Sequence, residues 1–324
     1  MVRLSAEQLH QFQNEGYLAV QGVLDPVTDL QPVFDEFASV LDDIATRMFL
    51  DGVLADPHRG LRFADRLVQV CAESGRNFPE RFDFSLPQSG VRRDTPIHVG
   101  PAVFRLLSNP RLLDLVESIV GPEIFSNPVQ HIRMKLPKRA VVPGSTSGLV
   151  TRTPWHQDNG VVMPEADEGH ILTVWLALNR ATADNGCLQV IPRSHRQGIE
   201  PHCPTPSGLS IPSRFLEQQR AVPVPLEPGG VLLMTQRTMH SSLDNVTGDE
   251  VRISMDLRYQ PIGEPTGRPA FAEAGFVARS RAHPEQELRD PEVWAANWLA
   301  TRARLSGAEN PAFNRWRADA PVCA

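Results

Sequence analysis

The sequence predicts a mainly β chain with flanking helices, an α+β architecture whose strands form a sandwich or barrel. Three observations carry this expectation. Helix signals dominate the first 120 residues, five strand-like runs then follow with no helical pattern between most of them, and one more helix signal comes after residue 289.

Ser5 followed by Gln8 resembles a capping box, opening a short helix with Leu9 and Phe12 on one face and Gly16 as its stop. Tyr17 to Val20 reads as a strand leading into Gly22, and residues 27–50 and 60–72 carry helix-compatible patterns. Asn109 and Pro110 supply a cap and a first-turn proline before Leu112, Leu113, Val116, Ile119 and Val120, ending at Gly121. Residues 129–136, 171–178, 186–191, 229–235 and 251–260 read as strands, each bounded by Gly, Pro or Asn/Asp. In the last of these, Ile253, Met255, Leu257 and Tyr259 alternate with Arg252, Ser254, Asp256 and Arg258. One face is therefore apolar and the other sets Arg252 beside Ser254. Asp290-Pro291 opens a final helix whose Trp294, Trp298 and Leu305 fall at helical spacing, suited to packing on the β core. A single domain is expected: a helical part over 1–125, a strand core over 126–261 and a C-terminal extension over 262–324, with Gly263 at the one candidate boundary.

Hydrophobic residues make up 41% and charged residues 22%, an ordinary globular composition. A net charge of −6 argues against a nucleic-acid-binding or anionic-membrane surface. No run approaches the roughly 18–20 apolar residues of a membrane span, and the N-terminus lacks a signal-peptide core. Cys71, Cys187, Cys203 and Cys323 show no CxxC spacing and are expected to be free thiols in a reducing cytosol, giving a cytoplasmic monomer or homodimer. The 29 prolines fall between periodic segments and stiffen loops around the β core.

The chemistry centres on Pro154-Trp155-His156-Gln157-Asp158-Asn159-Gly160, just after the Pro/Gly/Ser-rich loop 137–148. His156 and Asp158 project from one face of an extended strand, because strand side chains alternate. An HxD triplet alone is common on surfaces; followed by His240, Arg252 and Ser254 in that order, it reads as a metal site. His170, His195 and His202 are nearer to Asp158 in sequence, but only His240 precedes an arginine strand by a short interval. Two histidines and one carboxylate leave open positions on the metal, the ligand set of non-haem Fe(II) oxygenases. Arg252 offers a permanently charged fork for the distal carboxylate of 2-oxoglutarate, with Ser254 adding a hydroxyl and Arg258 as the alternative anchor. The co-substrate chelates iron through its 2-oxo group and near carboxylate, leaving one position for O2.

Further motifs sharpen the reading: Phe12-x-x-x-Gly16-Tyr17, Asn185-Gly186-Cys187-Leu188, Val190-Ile191-Pro192-x-Ser194-His195 and His240-Ser241-Ser242. With Trp155-His156-Gln157-Asp158, they make residues 5 to 261 resemble the phytanoyl-CoA dioxygenase family of iron/2-oxoglutarate oxygenases. The resemblance implies a double-stranded β-helix, a jelly-roll or cupin-like barrel. It implies that Trp175 borders the co-substrate, that Ser242 bonds it, that His131 contacts it from the preceding strand and that Arg93 lies near a basic family position. Asn185-Gly186 itself reads as a tight turn.

Asp158 occupies the position that related halogenases leave open for chloride, so hydroxylation or another oxidation is expected. The expected reaction couples 2-oxoglutarate decarboxylation to succinate and CO2 with oxidation of a small molecule, possible secondary metabolites included. A catalytically inactive cupin-like metal- or ligand-binding protein is the alternative, which the Arg252 anchor disfavours, and a zinc hydrolase would want another donor set. Loops 137–153 and 201–213 are expected to form a lid over the site.

Overall fold

The computed structural model describes residues 3–309 and 311–323. Helix α1, Ala6–Glu15, carries both arms of the capping box: the Gln8 N–H donates to Ser5 Oγ and the Ser5 N–H to Gln8 Oε1. It ends at Gly16, whose φ of 83° is the left-handed conformation a glycine stop supplies. Strand β1, Tyr17–Val20, follows, then helices α2, Gln31–Leu50, α3, Phe63–Ser74, α4, Pro101–Leu107, and α5, Pro110–Val120. The Asn109 side chain accepts the Arg111 and Leu112 N–H groups and caps α5.

The β core contains β2, Glu123–Lys135, β3, Leu172–Ala177, β4, Leu188–Val190, β5, Cys203–Thr205, β6, Gly208–Ser210, and β7, Val222–Val224. It continues with β8, Val231–Thr235, β9, His240–Ser242, β10, Arg252–Pro261, and β11, Phe276–Ser280, before helix α6, Pro291–Leu305. Six strands form an antiparallel sheet in the order β1-β8-β3-β10-β2-β11, and β7-β4-β9 form a second. A bridge between His156 and His240 lengthens the smaller sheet at its β9 edge. The jelly-roll is thus two facing sheets with no closed barrel.

Alternation decides what each face covers. Trp175 and Ala177 of β3 and Leu232 and Met234 of β8 pack with Leu188, Val190 and Val224 of the smaller sheet. The intervening Val174, Leu176, Val231 and Leu233 join Ile253, Met255 and Leu257 against the helices. Residues Arg252 to Gln260 of β10 are all buried, so its polar face is an interior wall and not a solvated one.

The strands β5 and β7 carry Pro204 and Pro223 and span three residues each, too short and too interrupted for a period-two signal. The stretch after Gly263 is no separate body, because β11 pairs with β2 in the six-stranded sheet. Trp294 and Trp298 of α6 are fully buried in the helical core. Two cysteines correct the free-thiol expectation: Cys203 and Cys323 form a disulfide that ties the C-terminal segment to β5, while Cys71 and Cys187 are free and buried. Their pairing depends on a chain that folds back across 120 positions, which local spacing cannot announce. No helix among the described residues is long and apolar enough to cross a membrane.

Candidate metal centre

His156 and His240 exchange both backbone hydrogen bonds, each N–H to the other's carbonyl at 3.0 Å. That pairing sets the imidazoles side by side, with ring centroids 4.2 Å apart. Asp158 Oδ1 lies 3.8 Å from His156 Nε2, and one ligand atom from each of His156, Asp158 and His240 falls within 4.8 Å of the others. All three residues are buried.

The tautomers are set by the backbone. His156 Nδ1 is 2.9 Å from the Pro154 carbonyl and His240 Nδ1 is 2.9 Å from the Thr238 carbonyl. A carbonyl only accepts, so each Nδ1 carries the proton and each Nε2 keeps its lone pair for a metal. Burial, with His240 alongside, pushes the His156 imidazole down to about 3, so it stays neutral. Burial alone would raise the Asp158 carboxyl, but Arg258, then His240 and His156, outweigh it and hold the group ionised. Thr173 Oγ1 donates to Asp158 Oδ2, and Arg258 Nη2 to Oδ1, while Arg258 Nη1 donates to the Val129 carbonyl at 2.6 Å. Two imidazole Nε2 atoms and a fixed carboxylate fit a divalent iron.

A second group of polar side chains gathers at the start of β10, the strand whose Arg258 holds Asp158. Arg252 is fully buried; Nε donates to the Gly186 carbonyl at 3.1 Å and Nη1 to Ser254 Oγ at 2.5 Å. Its Nη2 has no partner among the described residues. The Trp175 ring covers the guanidinium at 5.3 Å. Lys135, directly across the ladder, donates to Ser242 Oγ and to the Leu243 carbonyl at 2.5 Å, and Ser242 Oγ also accepts the Thr153 N–H at 2.8 Å. Gly186 sits at φ 92°, and a Cβ there would lie 2.4 Å from Lys135 Cδ. The Asn185-Gly186 turn therefore supplies the Arg252 acceptor and clears room for Lys135. An orphaned guanidinium nitrogen, with a buried lysine across the ladder that can take up a proton when an anion binds, calls for an anion, and a carboxylate fits.

Trp175 links the two groups, because it also lines a small cavity bounded by His156, His240, Thr173 and Arg258. A larger cavity of about 150 Å³ opens on the other side of His156, lined by His131, Arg133, Arg258 and Arg268 among others. His131 belongs here and bonds Asp83 through Nδ1 at 2.8 Å. Arg93 is exposed on the 92–95 turn and borders neither cavity. A cavity of about 710 Å³ between α1, α5 and the 167–171 loop includes none of the three candidate ligands.

The segment 156–162 is also held from the C-terminal side. Arg315 pairs with both Asp167 carboxylate oxygens and donates to the Asn159 carbonyl at 3.2 Å, and Trp316 Nε1 donates to the Gly160 carbonyl at 2.5 Å. Trp316 stacks on His202, whose Nε2 accepts the Gln157 N–H at 2.8 Å. Lys135, Thr173, Arg268, Arg315 and Trp316 carry no sequence signal of their own: each is a lone polar or aromatic residue whose partners come from distant segments.

The phytanoyl-CoA dioxygenase (PhyH) family model matches residues 12–254. The 1-deoxypentalenic acid 11-beta-hydroxylase of Streptomyces arenae is 33% identical over 172 residues, covering 50% of this chain and 58% of that protein. The phytanoyl-CoA dioxygenase domain-containing protein 1 of Rattus norvegicus is 26% identical over 274 residues, covering 76% of this chain and 87% of that one. Two solved structures share the fold. The non-heme monooxygenase ThoJ, in its apo form, has 18% identity and a TM-score of 0.53, covering 92% of this chain and 96% of its own. The non-heme alpha ketoglutarate dependent carbocyclase SnoK from nogalamycin biosynthesis has 17% identity and a TM-score of 0.50, covering 89% and 94%.

Proposed function

The chain belongs to the phytanoyl-CoA dioxygenase family, and we propose that it is an Fe(II)- and 2-oxoglutarate-dependent oxygenase that hydroxylates a small molecule. His156, Asp158 and His240 would hold the iron, and Arg252, Lys135, Ser242 and Ser254 the distal carboxylate of 2-oxoglutarate, with Trp175 walling the space between. Bound iron and 2-oxoglutarate supply oxygen activation: one atom of O2 enters succinate, the other the substrate, and CO2 leaves.

The chain's own contribution is positioning. The Pro154 and Thr238 carbonyls aim both Nε2 lone pairs, and Thr173 and Arg258 fix the carboxylate. Burial keeps bulk water from the donors, which strengthens every charge interaction in the site. The observation that carries the reading is Arg252: a buried guanidinium with an orphaned Nη2, opposite the buried Lys135 and covered by Trp175, which also lines the cavity bounded by His156 and His240. Asp158 in the third ligand position supports hydroxylation over halogenation. The hydroxylase activity printed in the name of the Streptomyces arenae relative supports the same class.

The test is anaerobic addition of Fe(II) and 2-oxoglutarate, which should give a weak visible charge-transfer band. Admission of O2 should then form succinate. His156→Ala and His240→Ala should lose both signals, and full succinate production in His240→Ala would remove that residue from the metal. A band without any succinate from the wild type would favour the inactive ligand-binding alternative.

A further inference from the structure

Three arginines line the 150 Å³ cavity beside His156, and two of them have acidic partners. Arg133 pairs with Asp256, and Arg258 pairs with Asp158. Arg268 has no carboxylate partner among the described residues. It is 1% exposed, and its Nη2 donates to the Val161 carbonyl at 2.8 Å. Its Nε and Nη1 have no hydrogen-bond partner among the described residues. The Phe313 ring lies against the guanidinium at 5.2 Å and closes one side with an apolar face. A buried guanidinium with three unmet N–H donors and no counter-ion is among the most unfavourable arrangements a protein interior can hold.

We propose that Arg268 seats a carboxylate of the substrate in the cavity beside His156, so that this enzyme selects small organic acids. The inference rests on the oxygenase reading and deepens it. The co-substrate does not meet the need of Arg268, because the anion seat at Arg252 lies against Trp175, and Arg268 does not border the small cavity that Trp175 lines. A planar guanidinium suits a carboxylate better than it suits a neutral amide, which offers one acceptor and brings donors that Arg268 would oppose. The adjoining wall offers apolar Val129, Val161 and Leu209 to the rest of a small acid. Burial, with Arg258 nearby, brings the Arg268 pKa down to about 9, which still leaves it charged at neutral pH. Its bond to Val161 also ties it to the segment that follows Asp158, so a seated acid would share the cavity that His156 lines.

The experiment uses the anaerobic Fe(II)–2-oxoglutarate enzyme, with the Arg252 seat already filled. Acetate, cyclohexanecarboxylate and benzoate are each titrated against the matching primary amide, read by calorimetry and by perturbation of the charge-transfer band. At least one acid should bind about tenfold or more tightly than its amide. Arg268→Gln, which keeps a donor for the Val161 carbonyl, should erase that preference and leave the 2-oxoglutarate band in place, and Arg268→Lys should retain part of it. An acid preference that survives in Arg268→Gln overturns the proposal, as does a wild type that binds acids and amides alike. Tighter binding of phenyl phosphate than of benzoate overturns the carboxylate assignment. A wild type that forms no band fails the oxygenase reading instead, while the calorimetric acid-to-amide comparison still decides the Arg268 seat.

Discussion

Lys135 stands directly opposite Arg252 in the β2–β10 ladder, and both side chains are buried. Like charges placed this way repel, and burial first, then Arg252, brings the Lys135 ammonium down to about 6. A dianion bound between them reverses the balance and raises that pKa. The sign follows: above about pH 6 the free enzyme holds Lys135 neutral, so 2-oxoglutarate binding takes up a proton. Affinity for 2-oxoglutarate should be highest near or below pH 6 and fall as pH rises, by at most about tenfold per unit. Lys135→Met should bind more weakly at low pH and lose the slope. Dissociation constants from the anaerobic band at several pH values decide it; parallel slopes in both proteins would remove Lys135 from the co-substrate seat.

Arg252→Lys should not be conservative. A point charge cannot replace a fork that bonds Gly186, bonds Ser254 and keeps Nη2 for the ligand. Losing one charge-assisted hydrogen bond, at roughly 1.5–3 kcal/mol, should raise the KM for 2-oxoglutarate by about tenfold to a little over a hundredfold. Mn(II) binding, followed by electron paramagnetic resonance, should be nearly unchanged. Wild-type kinetics in the variant would move the anchor to Lys135, since Arg258 is committed to Asp158.

Arg258→Met tests that commitment. Removing one partner of a buried ion pair leaves Asp158 as an uncompensated charge and should destabilise the metal-free protein by about 3–5 kcal/mol. A divalent cation supplies replacement charge at the same carboxylate, so Mn(II) should recover part of the loss. Urea unfolding with EDTA or with Mn(II) measures both. An equal loss in the two conditions would reduce Arg258 to packing.

The candidate metal centre was legible because its signal is an order of residues. His156 and Asp158 share a face by the period of an extended chain, and Arg252 and Ser254 repeat that logic on a strand with an apolar reverse. The helices were legible wherever caps mark them, as at Ser5, Asn109 and Asp290. What stayed hidden depends on long-range pairing. Lys135 ends a strand, where a lysine ordinarily reaches solvent. Arg268 sits between Gly267 and Pro269, where a basic residue reads as surface loop, yet it is buried beside His156. Strand β11 is interrupted by Arg279, whose charge is taken up by Asp114 and Glu117 of α5. Arg93 is the reverse case, a residue type matched to a basic position that the structure sets on an exposed turn away from both cavities.

The Cys203–Cys323 bond changes what the loops over the site should do. The 201–213 stretch, expected to be an open lid segment, contains the β5–β6 hairpin, and Ser207, Gly208 and Leu209 at its tip line the cavity beside His156. The disulfide ties the hairpin to a C-terminal segment that Arg315 and Trp316 fasten to Asp167 and Gly160. A bond closing so long a loop is worth about 4–5 kcal/mol in the chain-entropy account. Reduction with a phosphine should therefore lower Tm by several degrees. The oxidised, ligand-free enzyme should be cut by trypsin in the 138–152 loop, at Lys138, Arg139 or Arg152. Arg214, beside the hairpin, should resist until the disulfide is reduced, because it also donates to the Val322 carbonyl of the tethered segment. Substrate with 2-oxoglutarate should suppress the first cut, since Gly148 of that loop borders the same cavity. Equal cleavage at Arg214 in oxidised and reduced protein would show that the ion pair and the tryptophan, and not the disulfide, hold the hairpin over the cavity beside His156.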